Sequence, residues 1–170
     1  MTRRAELIAG AEALGVVMTS QHDIVRAMLT LAQRQQDAIV EGDVEALTAV
    51  VDEQQQLVEH LNALETERMT ALIAIAAATG LDAETATLSE IAAALPADRA
   101  AAITRQGQEL RAQAVALRQV QDLNERLLER SRALVDRWLH YLRMLLSGSL
   151  YTASGDAGGM PGGRSLDKSA

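Results

Sequence analysis

Three histidines, His22, His60 and His140, are the side chains best suited to metal ligation or proton transfer near neutral pH. In a helical protein a metal site asks for Glu-x-x-His pairs or for histidines four residues apart, so that the ligands share one face. Neither spacing occurs. Each histidine stands singly beside charged neighbours and reads as a surface or boundary residue. A helical phosphotransfer domain would use one exposed histidine, for which His60 is the candidate, but Leu61-Asn62-Ala63-Leu64 behind it lacks the lysine and glycine such a site needs. The absence of Cys removes disulfides, thiolate zinc sites and cysteine nucleophiles together. No glycine-rich phosphate loop follows a strand pattern, and no Ser, His, Asp arrangement can be argued from spacing. No catalytic residue, metal ligand or cofactor is assigned, and the chain reads as a binding protein rather than an enzyme.

The charges are mostly interleaved. Asp122 with Arg126 and Arg132 with Asp136 stand four apart, the spacing of helix-surface pairs. The arginine-rich stretch from Arg126 to Arg143 is diluted by Glu129 and Asp136 and carries no aromatic platform on the same face. Residues 1–100 hold 16 acids and 6 bases, residues 101–150 hold 5 and 8, and the chain totals −7. That balance argues against nucleic-acid binding, which needs a concentrated basic surface to displace counterions.

The elements that must carry any site are helices. Ala, Leu, Val and Ile make up most of the 48% hydrophobic content, with no Phe, one Trp and two Tyr. Sheets and deep ligand pockets draw on aromatic and β-branched residues that are scarce here. Helical periodicity runs from about Arg4 to Glu41 through Leu14, Val17, Ile24, Val25, Met28, Leu31 and Ile39. Gly42-Asp43 supplies a break and an N-cap, and a second helix starts at Val44 and runs to the Thr79-Gly80 stop. Its stripe passes through Leu47, Val50, Val51, Leu57, Leu61, Leu64, Leu72 and Ile75. Thr87 and Glu90 have capping-box spacing ahead of a short helix over Leu88–Leu95. Pro96 ends it, Asp98 caps the next, and the last helix runs to about Ser147, with Gly107 a point of softening. The expected fold is all-α: an elongated antiparallel bundle of three long helices plus one short helix, coiled-coil-like. A helical domain over residues 1–148 is followed by a flexible Gly/Ser-rich tail over residues 149–170.

Met1-Thr2-Arg3-Arg4 begins as a signal peptide does, but Glu6 and Glu12 interrupt the apolar stretch such a signal requires. The longest run without a polar residue, Ala71 to Ala78, falls far short of the ~20 residues that span a bilayer. A cytoplasmic protein without stable membrane insertion is expected.

The last helix carries more apolar surface than its own bundle needs. With Leu110 at zero on a 100° wheel, Leu117, Leu128, Val135, Leu139, Leu142 and Leu146 fall within about 40° of it. Val120, Leu127, Leu134, Trp138, Tyr141 and Leu145 fill an adjoining sector. The arc spans about 180°, against the ~100° stripe of a helix packed on one side. This second sector is the candidate surface for a protein partner, because Trp and Tyr make large rigid contacts at modest entropic cost. The alternatives are that the surplus packs on the other helices together, or that it joins two copies in a homodimer. Asn124 and Ser131 lie inside the arc, where they either fix register or stand wetted near an open groove.

The order of elements and several local sequences resemble the FlgN family of flagellar type III export chaperones. The matching pieces are Gly42-Asp43-Val44-Glu45-Ala46-Leu47 leading to Leu61-Asn62-Ala63-Leu64-Glu65-Thr66-Glu67-Arg68, then Thr87-Leu88-Ser89-Glu90-Ile91, Asn124-Glu125-Arg126-Leu127-Leu128, and Leu150-Tyr151-Thr152-Ala153-Ser154-Gly155. Together they cover about residues 10–156. The resemblance implies a cytoplasmic chaperone without ATPase activity that holds the hook–filament junction proteins FlgK and FlgL by their C-terminal helical segments, using its own last helix. It also implies that Tyr151 docks on the export-gate protein FlhA. Without the family, Tyr151 is an incidental residue at a helix end. The rival to the chaperone reading is a structural or regulatory homodimeric coiled-coil protein with no export role.

Overall fold

A computed structural model describes the backbone of residues 3–153 and the side chains of residues 3–144. Four helices follow one another: α1 (Arg3–Glu41), α2 (Val44–Thr79), α3 (Leu88–Ala93) and α4 (Ala97–Ala153), with no strand among the described residues. The all-α expectation of three long helices and one short one holds, and the three long ones pack against each other.

Local chemistry sets the breaks. Gly42 takes φ +72°, a conformation glycine adopts without Cβ strain, and Asp43 then accepts a 2.9 Å hydrogen bond from Ala46 N to open α2. Gly80 closes α2 at φ +85°, its N–H donating to Ala76 O at 2.8 Å. The capping box at α3 is complete. Thr87 N donates to the Glu90 carboxylate at 2.7 Å, and Glu90 N donates back to Thr87 Oγ1 at 3.3 Å.

Three boundaries differ from expectation. α3 stops at Ala93, although Leu95 beyond it is still buried. Pro96, not Asp98, opens α4: its carbonyl accepts from Ala100 N at 2.9 Å, and Asp98 lies in the first turn, where its charge suits the helix dipole. At the other end α4 runs on to Ala153, past the expected stop near Ser147 and into the stretch expected as tail, the rest of which, residues 154–170, lies outside the described residues.

The chain divides into two compact units, Met1–Leu128 and Glu129–Ala170. In the first, side-chain bonds set the helix directions. Arg34 pairs with Glu53 at 3.1 Å, while Gly10 lies against Ile75, so residue numbers run oppositely along α1 and α2. Arg99 pairs with Glu12, Gln106 donates to Thr19 Oγ1, and Asn124 donates to the Ala32 carbonyl, so α4 runs parallel to α1.

One core cluster joins all four elements through Leu14, Met18, Leu72, Ile75, Ile91 and Ile103. A second, built on Val25, Met28, Ala32 and Leu117, is flanked by Leu57, Leu61, Leu110 and Val120. Gly107 has a packing reason rather than a softening one: a Cβ there would overlap the Leu88 side chain of α3.

Candidate functional site

Within unit one most of the apolar arc of α4 is covered, although Leu123 and Leu128 toward its end are 43% and 40% exposed. Ile103 and Leu117 are buried, and Leu110 and Val120 are half-buried against the second core cluster. Asn124, inside the same arc, is 2% exposed. Its Nδ2 donates to Ala32 O at 2.8 Å and to Gln35 Oε1 at 3.3 Å, and Gln35 Oε1 also accepts from Gln54 Nε2 at 3.3 Å. A chain of amides therefore ties α4, α1 and α2 at one height. That geometry is the register device, and the wetted alternative does not describe Asn124; Ser131 is exposed.

Leu127 is half-buried and Leu128 is 40% exposed, and in unit two the described apolar residues of α4 face solvent. Leu134, Val135, Trp138, Leu139, Tyr141, Leu142 and Met144 are between 45% and 60% exposed. Leu134, Arg137, Trp138 and Tyr141 line an open pocket of about 460 Å³. The Trp138 and Tyr141 rings meet edge to face, centroids 6.3 Å apart at 85°, the arrangement aromatic quadrupoles favour. Arg137 Nε donates to the Ala133 carbonyl at 3.3 Å, holding the guanidinium at the lip of this notch.

Of the six residues in the candidate partner sector, the structure brings Leu134, Trp138 and Tyr141 together. Val120 packs into the bundle, Leu127 stands at its edge, and the side chain of Leu145 lies outside the described residues, as do those of Leu146 and Tyr151. Sequence reading missed Arg137; Met144, 60% exposed, lies off this face. Arg137 is one residue before Trp138, and its place beside the aromatic sector was readable from the same wheel.

The electrostatics offer no reactive centre among the described residues. His60 and His140 are exposed, and His22 Nδ1 lies 3.8 Å from Asp23. Among the described residues no group of three or more His, Asp or Glu is placed to hold a metal ion, and no helix is long and apolar enough over these residues to cross a membrane. Two carboxyls sit below their usual range: Glu65, which accepts from Arg68 Nε at 2.7 Å, and Glu90, which accepts from the Thr87 backbone and hydroxyl. Both are structural contacts. The expected pairs Asp122–Arg126 and Arg132–Asp136 are not formed, and none of these four residues enters an ion pair among the described residues. Exposed pairs gain little against the entropy of fixing two long side chains.

Compared with known families, the chain matches the FlgN family (FlgN protein) over residues 7–159, most of its length, and it belongs to that family. No curated protein and no solved structure matches it.

Proposed function

From membership of the FlgN family of flagellar export chaperones, we propose that this chain holds the hook–filament junction proteins FlgK and FlgL in the cytoplasm and delivers them to the export gate. The observation that supports this reading is the uncovered apolar face of α4 from Leu134 to Leu142, with its aromatic notch. An unfolded amphipathic C-terminal segment of the client lays its apolar side on that face and folds as it binds. While bound it cannot enter premature assembly. The chaperone acts by occupancy, with no covalent step. Tyr151, beyond the last described side chain, is the docking residue for FlhA in this reading.

Capture of a junction-protein C-terminal segment by Leu134→Asp and Trp138→Asp variants tests the face. Both are expected to lose capture while keeping the far-ultraviolet helical signal; capture retained by both removes α4 from the mechanism. Tyr151→Ala is expected to keep client affinity and weaken docking on FlhA, and equal docking by variant and parent removes the tyrosine. If the face instead joins two copies, light scattering shows a dimer that a client segment does not dissociate.

A further inference from the structure

The edges of the exposed face carry a charge pattern that its apolar centre does not require. On the wheel with Leu110 at zero, the uncovered apolar arc of unit two runs from about 220° at Tyr141, through Trp138 near 280°, to about 20° at Leu139, with Met144 standing outside it at about 160°. Arg130 and Arg137 stand at about 200° and 180°, on the edge beside Tyr141 and Leu134. Arg132 and Arg143 stand at about 40° and 60°, on the edge beside Leu139. Glu129 and Asp136 fall at about 100° and 80°, behind the Arg132 edge and away from the apolar centre. Both borders of this arc thus carry arginines, Met144 lies beyond the Arg137 edge, and the two acids stand on the far side of the Arg132 edge. Arg130, Arg132 and Arg137 enter no ion pair among the described residues, and Arg137 lines the aromatic notch itself.

We propose that the segment bound here is an amphipathic helix whose apolar stripe is bordered by acidic residues. One large apolar side chain seats between Trp138 and Tyr141, one carboxylate reaches Arg137, and a second, one heptad away, reaches Arg130. The inference rests on the docking role given to this face above and adds the chemistry of what docks. Arg130 and Arg137 are seven residues apart on one edge, about 10 Å along the axis. A partner helix brings side chains to one edge at that same spacing. The planar guanidinium suits this place, since it pairs with a carboxylate in two parallel bonds and stacks on aromatic rings. A partner with basic borders meets like charge along both edges. Edge charges of this kind select partners and speed encounter more than they deepen affinity.

Trp138 is the single tryptophan of the chain, so its fluorescence reports on this face alone. Two Trp-free synthetic peptides with the same leucine stripe, one bordered by Glu and one by Lys, are titrated against the full chain. The Glu-bordered peptide is expected to shift Trp138 emission to the blue, to bind on the order of tenfold more tightly than the Lys-bordered one, and to weaken as salt rises. The double variant Arg130→Glu, Arg137→Glu is expected to reverse that preference. Equal affinity for the two peptides, unchanged by salt, overturns the charge rule while leaving apolar docking in place. No shift with either peptide, together with capture of junction-protein segments by the Trp138→Asp chain, removes the face altogether. A blue shift on phosphatidylglycerol vesicles with none on the Glu-bordered peptide assigns the face to an anionic bilayer and also overturns the proposal.

Discussion

Replacing Asn124 by Asp exchanges one heavy atom, an amide nitrogen for a carboxylate oxygen, and inverts the hydrogen-bond logic of the bundle. Asn124 is 2% exposed, and its Nδ2 faces two acceptors, the Ala32 carbonyl at 2.8 Å and Gln35 Oε1 at 3.3 Å. An ionised Asp offers only acceptors to both. It loses two hydrogen bonds, each contributing about 0.5–1.5 kcal/mol, and leaves a buried charge without a partner, a defect that costs about 3–5 kcal/mol. Burial and the facing oxygens raise the folded-state pKa of this carboxyl above its unfolded value of ~3.9. The penalty is therefore absent below about pH 4, where the protonated carboxyl can donate to Ala32 O. It grows by about 1.4 kcal/mol per pH unit as pH rises, until the folded-state pKa is reached. Three such units give about 4 kcal/mol, in agreement with the buried-charge cost. For a chain of this size the melting temperature drops by about 10 °C or more at pH 7. Thermal and urea unfolding followed by circular dichroism from pH 4 to 8 reads this directly, with Asn124→Leu as the companion. Leucine removes the hydrogen bonds and also the unpartnered Oδ1, so its stability is expected within about 1 kcal/mol of the parent. An Asn124→Asp chain destabilised by under about 1 kcal/mol, with no pH dependence, would refute the buried amide chain and place the side chain in water.

Further outcomes follow from the caps, the core and the exposed face. Thr87→Ala is expected to cost about 1 kcal/mol by removing the cap acceptor of α3, measured by chemical denaturation. Because the Glu90 carboxyl lies below its ordinary range through hydrogen bonds from Thr87, the capping box is intact above that range and is lost as pH falls through it. The parent's acid-side loss of stability should accordingly be shallower in Glu90→Gln. Gly80→Ala places a Cβ at φ +85° and is expected to destabilise by about 1 kcal/mol, although nothing lies within 4 Å to clash with it. Trp138→Asp is expected to leave the unfolding midpoint within about 0.5 kcal/mol of the parent, since its side chain is 59% exposed, whereas Ile75→Ala, 1% exposed in the first core cluster, costs about 2–5 kcal/mol.

Sequence alone determined the helices and their breaks, because helix starts and stops are local chemistry: Gly42-Asp43, Thr79-Gly80 and the Thr87–Glu90 box each act within a few residues of themselves. It also determined the width of the apolar arc on α4, since a wheel needs only residue order. A wheel does not say which turns have a neighbour. Val120 and Trp138 share one angular position, yet the first packs on the second core cluster and the second is exposed. Burial of a side chain depends on which helices stand beside that turn, information that resides in the tertiary contacts. The same limit hid the alanines. Ala32 is fully buried and Ala11, Ala38 and Ala71 nearly so, because close helix approach selects small residues that a periodicity reading passes over. Asn124 is the plainest case: its sequence position allowed either a register pin or a wetted edge, and only the carbonyl of Ala32 and the amide of Gln35, 92 and 89 residues away, decided between them.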